Sequence, residues 1–433
     1  IPWTYGKRLG ENFNGLLAND KRQVVEIDKN GWRVLNESPV MFRQEKGMLP
    51  LPVPQPGGSM DKLRPFVNVS DEQWPLLLGF LVAALHPRGP YPVLAVSGEQ
   101  GSAKSALCRC LRNIIDPNTA ALRRPSRDER GLFITANNSW MPVFDNLSHL
   151  PNEMSDAICT LSTGGGLATR THYSDDEETI FNLKRPTILS GIEDVARRSD
   201  LLQRCIILNL PRIDESMRRP ESELDEEFET ARPFILGALL NAVSTAIRNL
   251  PHVHLPSPPR MADMALWVMA AESGLGLSPG SFINAYRANQ DEAAAIALES
   301  SPVARVLIQF AISTGKWEGT ASELKPLLDS MADEQTRRST SWPKLPAKLG
   351  GDIKRLTPEL RKLGITIEQA RAGGKGRTRV IRIECHAPAI SEMAIPGFGA
   401  YPPLAGPNVF PATAGFTAPA PGCVPYFQNG AAA

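Results

Sequence analysis

The segment 91–110, YPVLAVSGEQGSAKSALCRC, constrains this chain more than any other. Residues 93–96 form a short apolar run, as in a strand buried within a parallel sheet. Eight residues follow, Gly98-Glu99-Gln100-Gly101-Ser102-Ala103-Lys104-Ser105, and a helical pattern then begins through Ala106. Glycines let the backbone curl so that successive N–H groups face one point. A helix N-terminus adds its own orphan donors and the positive end of its dipole. Strand, glycine-rich loop and helix together make an anion cradle, and they predict an α/β layer fold around it.

Spacing sharpens this reading. In the P-loop pattern G-x-x-x-x-G-K-[ST], the Lys reaches the β and γ phosphates of ATP and the Ser hydroxyl binds Mg²⁺. Lys104 and Ser105 hold those positions, with Gly98 to Ala106 as the nucleotide-binding stretch. Ala103 stands where that pattern has Gly, and its Cβ leads us to expect φ < 0 there. The alternative is a glycine-rich turn without a ligand. A P-loop enzyme also needs an acid at the end of a neighbouring strand. Residues 139–148, SWMPVFDNLS, offer Asp145 as the Mg²⁺ ligand, followed by Asn146, which positions a water but cannot serve as a base. Glu99 is a minor candidate for the base. Taken alone, Asp145 reads equally as a strand-end cap.

Composition removes other classes. The chain has 433 residues, 47 Lys+Arg against 46 Asp+Glu, and 42% hydrophobic residues, enough for a real core. At roughly 100–200 residues per domain, two to four domains are expected. Net charge near zero excludes a wholly basic coat protein. No apolar run approaches the ~20 residues of a membrane span, so no membrane segment is expected. Six cysteines without a C-x-x-C pair predict a reduced, cytoplasmic setting and no zinc site. Ile1-Pro2-Trp3 does not resemble a signal peptide, and the missing initial Met suggests a fragment or processed product.

Five segments follow. Residues 1–60 hold short strands (24–27, 32–35, 40–43) and a Pro/Gly-rich linker or arm at 49–58. Residues 61–215 alternate helix and strand as an α/β core, and 216–298 are helical, with apolar spacings at 223–229, 234–249, 262–272 and 281–299. Residues 299–385 are compact and mixed. Residues 386–433, with nine Pro and no Lys or Arg, read as a disordered tail.

Further residues stand out by position. Residues 185–191, RPTILSG, form another apolar strand ending in Ser190. Arg198 and Arg204 flank the stretch before the strand 205–210; an Asp200–Arg204 surface pair is the plain alternative. Arg260 follows Pro258-Pro259 at a helix start, where a cation is unfavourable unless something uses it. Residues 163–184 contain three consecutive glycines and two strand-like stretches, 169–173 and 179–183, near Arg170, His172 and Lys184; the acidic run 175–178 works against phosphate contact there.

Within 299–385, helices at 303–313, 321–331 (Thr320 as N-cap) and 345–363 (cut by Pro358) precede strands 365–367 and 380–383 joined by a basic loop. Eleven basic residues face four acidic ones over 344–385, a net +7 within a chain of +1. Lys354, Arg355, Lys375, Arg377 and Arg379 are the candidate nucleic-acid contacts. A protein-binding module with a solvated basic face is the alternative.

The strings GEQGSAKS, VFDNLS, STGGGLATR, RPTILSGI, RSDLLQRC and PPRMADMALW, over about 63–385, resemble the AAA+ helicase half of phage, plasmid and mobile-element replication proteins. GEQGSAKS is similar to the loop of minichromosome-maintenance-type helicases, where Ala is usual. This resemblance implies an AAA+ core with helical lid, a winged helix-turn-helix and a DNA helicase acting as a ring, usually hexameric. It implies Ser190 as a γ-phosphate sensor, Arg204 or Arg198 as a finger into a neighbour's site, Arg260 as a second sensor, and Arg170, His172 and Lys184 on a pore hairpin. Residues 1–60 show no acidic metal motif, so primer synthesis is not expected. An ATP-binding, weakly hydrolysing DNA-binding switch is the competing reading. A small-molecule kinase fits less well, since it would need neither finger nor basic module.

Overall fold

The computed structural model describes residues 15–18, 23–37, 47–126, 128–170, 178–191, 198–339, 341–371 and 379–386. Expectations for the strand at 40–43 and the tail beyond 386 lie outside these residues. In chain order the strands and α-helices are β1 (Gly15–Ala18), β2 (Val24–Asp28), β3 (Gly31–Leu35), α1 (Trp74–Ala84), β4 (Val93–Gly98), α2 (Lys104–Ile115), α3 (Glu129–Asn137), β5 (Val143–Leu147), α4 (Asn152–Thr163), β6 (Gly166–Arg170), β7 (Glu178–Asn182) and β8 (Thr187–Gly191). They continue as α5 (Ser199–Leu202), β9 (Cys205–Leu210), α6 (Glu221–Asn249), α7 (Ala262–Ala271), α8 (Ser281–Glu299), α9 (Pro302–Thr314), β10 (Lys316–Thr320), α10 (Ala321–Met331), α11 (Glu334–Arg338), α12 (Pro346–Lys362), β11 (Ile365–Arg371) and β12 (Arg379–Cys385).

Four strands make a parallel sheet in the order β5-β8-β4-β9. Both faces are covered, so its strands are largely apolar, with polar residues toward the ends of β5, β8 and β9. Leu94 and Val96 of β4 and Ile206 and Leu208 of β9 face one core with α1, α2, α6, α7 and α8. Val93 and Ala95 and Cys205 and Ile207 face the other, with α3, α4 and the end of α8. The period-2 alternation of strand side chains divides these two layers.

Helix α6 is one continuous element through Pro233, where the sequence suggested two. It runs on through a 3₁₀ turn to His252 and, contrary to the sequence expectation, is long and apolar enough to cross a membrane. Two thirds of its apolar window (67%) is buried inside the protein, where Leu236, Leu239 and Val243 join the first core. The Pro/Gly-rich stretch at 49–58 is a packed strap, not a free linker. Gln55 N–H donates to Pro233 O at 2.9 Å, and a Cβ on Gly237 would lie 2.0 Å from Gln55 O. The β1–β3 sheet is tied to the same helix: Trp32 Nε1 donates to Asn241 Oδ1 at 2.9 Å and Ser244 Oγ to Asp28 O at 2.6 Å.

The C-terminal unit has its own core, around Leu307, Leu324, Trp342, Ile353, Ile367 and Ile383. Its antiparallel sheet has the order β10-β12-β11. Thr320 and Glu323 form a reciprocal capping box at the start of α10. Pro358 does not cut α12. Its ring removes only the bond to the Lys354 carbonyl, on a face where both residues are exposed and water replaces the donor.

Two backbone positions depart from expectation. Ala103 has φ +63°, so the Cβ does not keep this residue in the right-handed region. Asn146 has φ +58°, in a bulge where the β5–β8 register shifts between Phe144 and Leu147. Left-handed backbone suits Asn but costs a residue such as Ala about 1–2 kcal/mol.

Beneath the loop, α2 is anchored by Arg112, whose side chain is fully buried. It donates to Asp116 O at 2.9 Å and Ser139 Oγ at 2.8 Å, and pairs with the Asp116 carboxylate at 3.3 Å. Burial raises the Asp116 pKa while the Arg112 charge opposes that shift. We expect Arg112→Ala to lower stability by about 3–5 kcal/mol in urea unfolding, because Asp116 is left buried without its partner. For Ala103, thermal unfolding should show Ala103→Gly neutral or stabilising within about 1 kcal/mol and Ala103→Val destabilising by more than that.

Candidate nucleotide-binding cleft

The loop between β4 and α2 is held from outside. Asn68 Nδ2 donates to Ser102 O at 3.2 Å and to Pro211 O at 2.6 Å. Inside it, Ser102 Oγ donates to Glu99 O at 2.9 Å. Gly101 sits at φ +85°. Ala103 is the N-cap of α2 and provides no side-chain acceptor, so the first amides of the helix are left for another partner.

Lys104 Nζ donates to the carbonyls of Gly98 and Glu99, each at 2.7 Å. Partial burial lowers its pKa, while Asp145 acts in the opposite sense. Ser105 Oγ donates to Asp145 Oδ2 at 2.6 Å. Hence the loop Ser and the strand-end acid, predicted separately, meet. Ser190 is fully buried on the strand between them. The Cys108 thiol lies beside it, pushed up to about 12 by burial, with the Ser190 hydroxyl opposing. Asn146 is exposed at its bulge.

These residues line a cleft of about 1060 Å³. Gln100 to Ala106, Asp145, Asn146 and Ser190 form one wall. Sequence reasoning missed the opposite wall, which comprises Phe66, Val67 and Asn68 with Ile213, Met217 and Leu224. It also missed three arginines, Arg109, Arg218 and Arg219. Arg218 leans over the loop: a Cβ on Gly101 would come within 3.1 Å of its Nη2. Its contact to Glu215 is long, at 4.0 Å, whereas Arg109 pairs with Glu221 and Arg219 with Glu227. A signal was present: Arg218-Arg219-Pro220 immediately precedes α6, the same logic that singled out Arg260.

Arg260 does not reach this cleft. It donates to Gln203 Oε1 at 2.6 Å and lines a separate cavity of about 380 Å³ with Gln203 and Glu359. The expected second sensor therefore lies outside its own chain's cleft. Glu99 is exposed and stays off the cleft, offering only its backbone carbonyl. Arg198 is bound to Asp156 at 2.7 Å and Asp200 at 2.8 Å, and Arg204 Nη1 to Asp200 O. Neither lines its own chain's cleft.

Strands β6 and β7 form an antiparallel hairpin with Arg170 opposite Glu178. His172 lies outside the described residues. Lys184, beyond β7, packs its stem against Gly164. On α12, Lys354 is exposed and Arg355 pairs with Asp352 at 2.5 Å. Arg379 is exposed at the start of β12, while Lys375 and Arg377 lie outside the described residues.

No curated protein matches the chain. Two apo structures of the NrS-1 C-terminal region are similar to it, at 10% and 11% identity and TM-scores of 0.35 and 0.34. They cover 85% and 86% of this chain, each over 96% of its own length, a likeness too weak to carry an argument. Residues 303–395 match the family described as AICE RepA C-terminal domain. Residues 60–295, more than half of the chain and the whole of the cleft, match the family described as actinomycete integrative conjugative element replication protein, and the chain belongs to that family.

Proposed function

We propose that this replication protein is a P-loop ATPase of the AAA+ type, a DNA helicase or translocase that works in the cytoplasm as a homo-oligomeric ring, usually a hexamer. The single observation that carries the reading is the Ser105–Asp145 hydrogen bond of 2.6 Å beside Lys104, at the open N-terminus of α2. A hydroxyl and a carboxylate this close are hard oxygen donors that suit Mg²⁺, which keeps its other positions for water and phosphate. Ser105 and Asp145 would hold the ion, which would supply neutralisation of phosphate charge.

The chain's own residues do the rest. Lys104 leaves two carbonyls to meet phosphate, and the amides of 104–106 donate to it. Ser190, buried on the strand between those that carry Lys104 and Asp145, is the sensor candidate. Arg218 takes the same-chain cation role first given to Arg260. The position of Arg204 and Arg198 away from their own cleft supports a finger role toward a neighbouring copy, for which the planar, always-charged guanidinium is suited. Helices α9, α10 and α12 with the β11–β12 hairpin support a winged-helix reading, its basic face directed to DNA phosphates. The β6–β7 hairpin is the pore element.

One observation favours a second reading, an ATP-binding switch that hydrolyses weakly. The residue after Asp145 is an Asn at a left-handed position, where Asn is preferred and a glutamate base would be strained.

Titration calorimetry with ATP and Mg²⁺ should detect binding to the intact chain. Lys104→Ala and Arg218→Ala should each weaken it about ten- to hundredfold, the loss of a charge-assisted contact, while Arg260→Ala leaves it unchanged. Single-stranded DNA should stimulate turnover. No affinity for any nucleoside triphosphate in the folded protein overturns the proposal; binding with background turnover selects the switch.

A further inference from the structure

A buried acid lies at the junction between the C-terminal unit and the rest of the chain, where α8 also packs against α9 and α12. Glu359 of α12 is 3% exposed. Its Oε1 accepts from Ser199 Oγ and, at 2.7 Å, from Gln203 Nε2. Gln203 Oε1 in turn accepts from Arg260 at 2.6 Å. Oε2 of Glu359 has no hydrogen-bond partner. The acid therefore grips both ends of α5, Ser199–Leu202, whose flanks are Arg198 and Arg204.

Helix α5 is a single turn, too short to hold its own geometry, so its docking decides where its flanks point. Leu201 and Leu202 fix it to the sheet side. On the other side, Lys362–Asp291 at 2.8 Å is the further ion pair from α12, and it is solvent-exposed on both partners. The cavity of about 380 Å³ beside Glu359 leaves room for α12 to shift without compressing a packed core. Four residues and more before Glu359, the same helix carries Lys354, Arg355 and Lys348 on exposed positions.

We infer that Glu359 is a positioning residue that couples the basic C-terminal unit to the arginine-bearing segment 198–204. Anion contact on the exposed face of α12 displaces that helix, and Glu359 transmits the displacement to Ser199 and Gln203. This rests on the finger role proposed above and deepens it, by naming what sets the arginines' position. A structural bond alone would affect stability and leave the coupling untouched.

Two readouts on the full chain separate the cases. The first is amide hydrogen exchange over 198–204 with and without a single-stranded oligonucleotide. The wild type should change on addition of the oligonucleotide, Glu359→Ala and Ser199→Ala should not, and the near-isosteric Glu359→Gln, which still accepts from Ser199, should retain the change. The second is DNA stimulation of ATP turnover, which should fall about tenfold in Glu359→Ala with basal turnover kept. Equal exchange responses in wild type and Glu359→Ala overturn the coupling, as does no response in the wild type. Absent turnover with an intact exchange response counts against the ATPase reading and leaves the coupling supported.

Discussion

The spacing between two parallel strands governs the cleft. Strands β4 and β5 are not neighbours; β8 lies between them. Adjacent strands are about 4.8 Å apart, so the loop strand and the acid strand are separated by roughly 10 Å. The first turn of α2 spans that gap and brings Ser105 to Asp145. Ser190 ends the intervening strand and lies between them for the same reason. With one strand between them, the hydroxyl on the first turn of α2 and the carboxylate at the end of β5 come within hydrogen-bonding distance. Arg112 holds the lower half of α2 against Asp116 and Ser139, so the helix cannot pivot away from this register.

What the sequence revealed is what depends on local pattern. The loop follows from one string of residues, and α8 starts at Ser281 and ends at Glu299 as its apolar spacing predicts. Thr320 caps α10 because a Ser/Thr followed three residues later by Glu satisfies two orphan donors at once. Prolines misled the reading in both directions. Pro233 and Pro358 lie inside continuous helices, where packing or solvent replaces the missing bond. The proline-rich strap at 49–58 packs on α6, burying Leu51, because its backbone fits against Gly237. Ala103 misled for a different reason. Its left-handed backbone is imposed by the loop's closure over α2, a constraint that no residue-type preference carries. Arg218 did not stand out in the sequence because two arginines ahead of two helices are locally alike. Only the path of the chain after β9 decides which one overhangs the loop.

Charge is partitioned along the chain in a way its total conceals. The +7 between residues 344 and 385 lies in a unit with its own core, while the remainder sums to a net negative charge. A concentrated basic face makes phosphate contacts that are strong and salt-dependent, and it is the natural entry point for a polyanion. Its one buried acid, Glu359, is turned inward to α5 and not toward that face. Separating charges in this way leaves Lys348 and Lys354 exposed on the outside of α12 and gives its inner side a directional polar contact.

The polar groups of the cleft pair with one another. Lys104 is paired with two carbonyls, Ser105 with Asp145, Arg109 with Glu221 and Arg219 with Glu227. An anion entering must exchange each of these bonds, so its affinity reflects differences between old and new partners, not the sum of the new ones. Two groups stand apart from this exchange. The amides at the start of α2 have no side-chain cap, and Arg218 has only a distant carboxylate at 4.0 Å. Contacts to these two groups displace the least and so contribute most to net binding. Arg218 already leans over the loop at Gly101, so contact with an anion held there costs it no short ion pair.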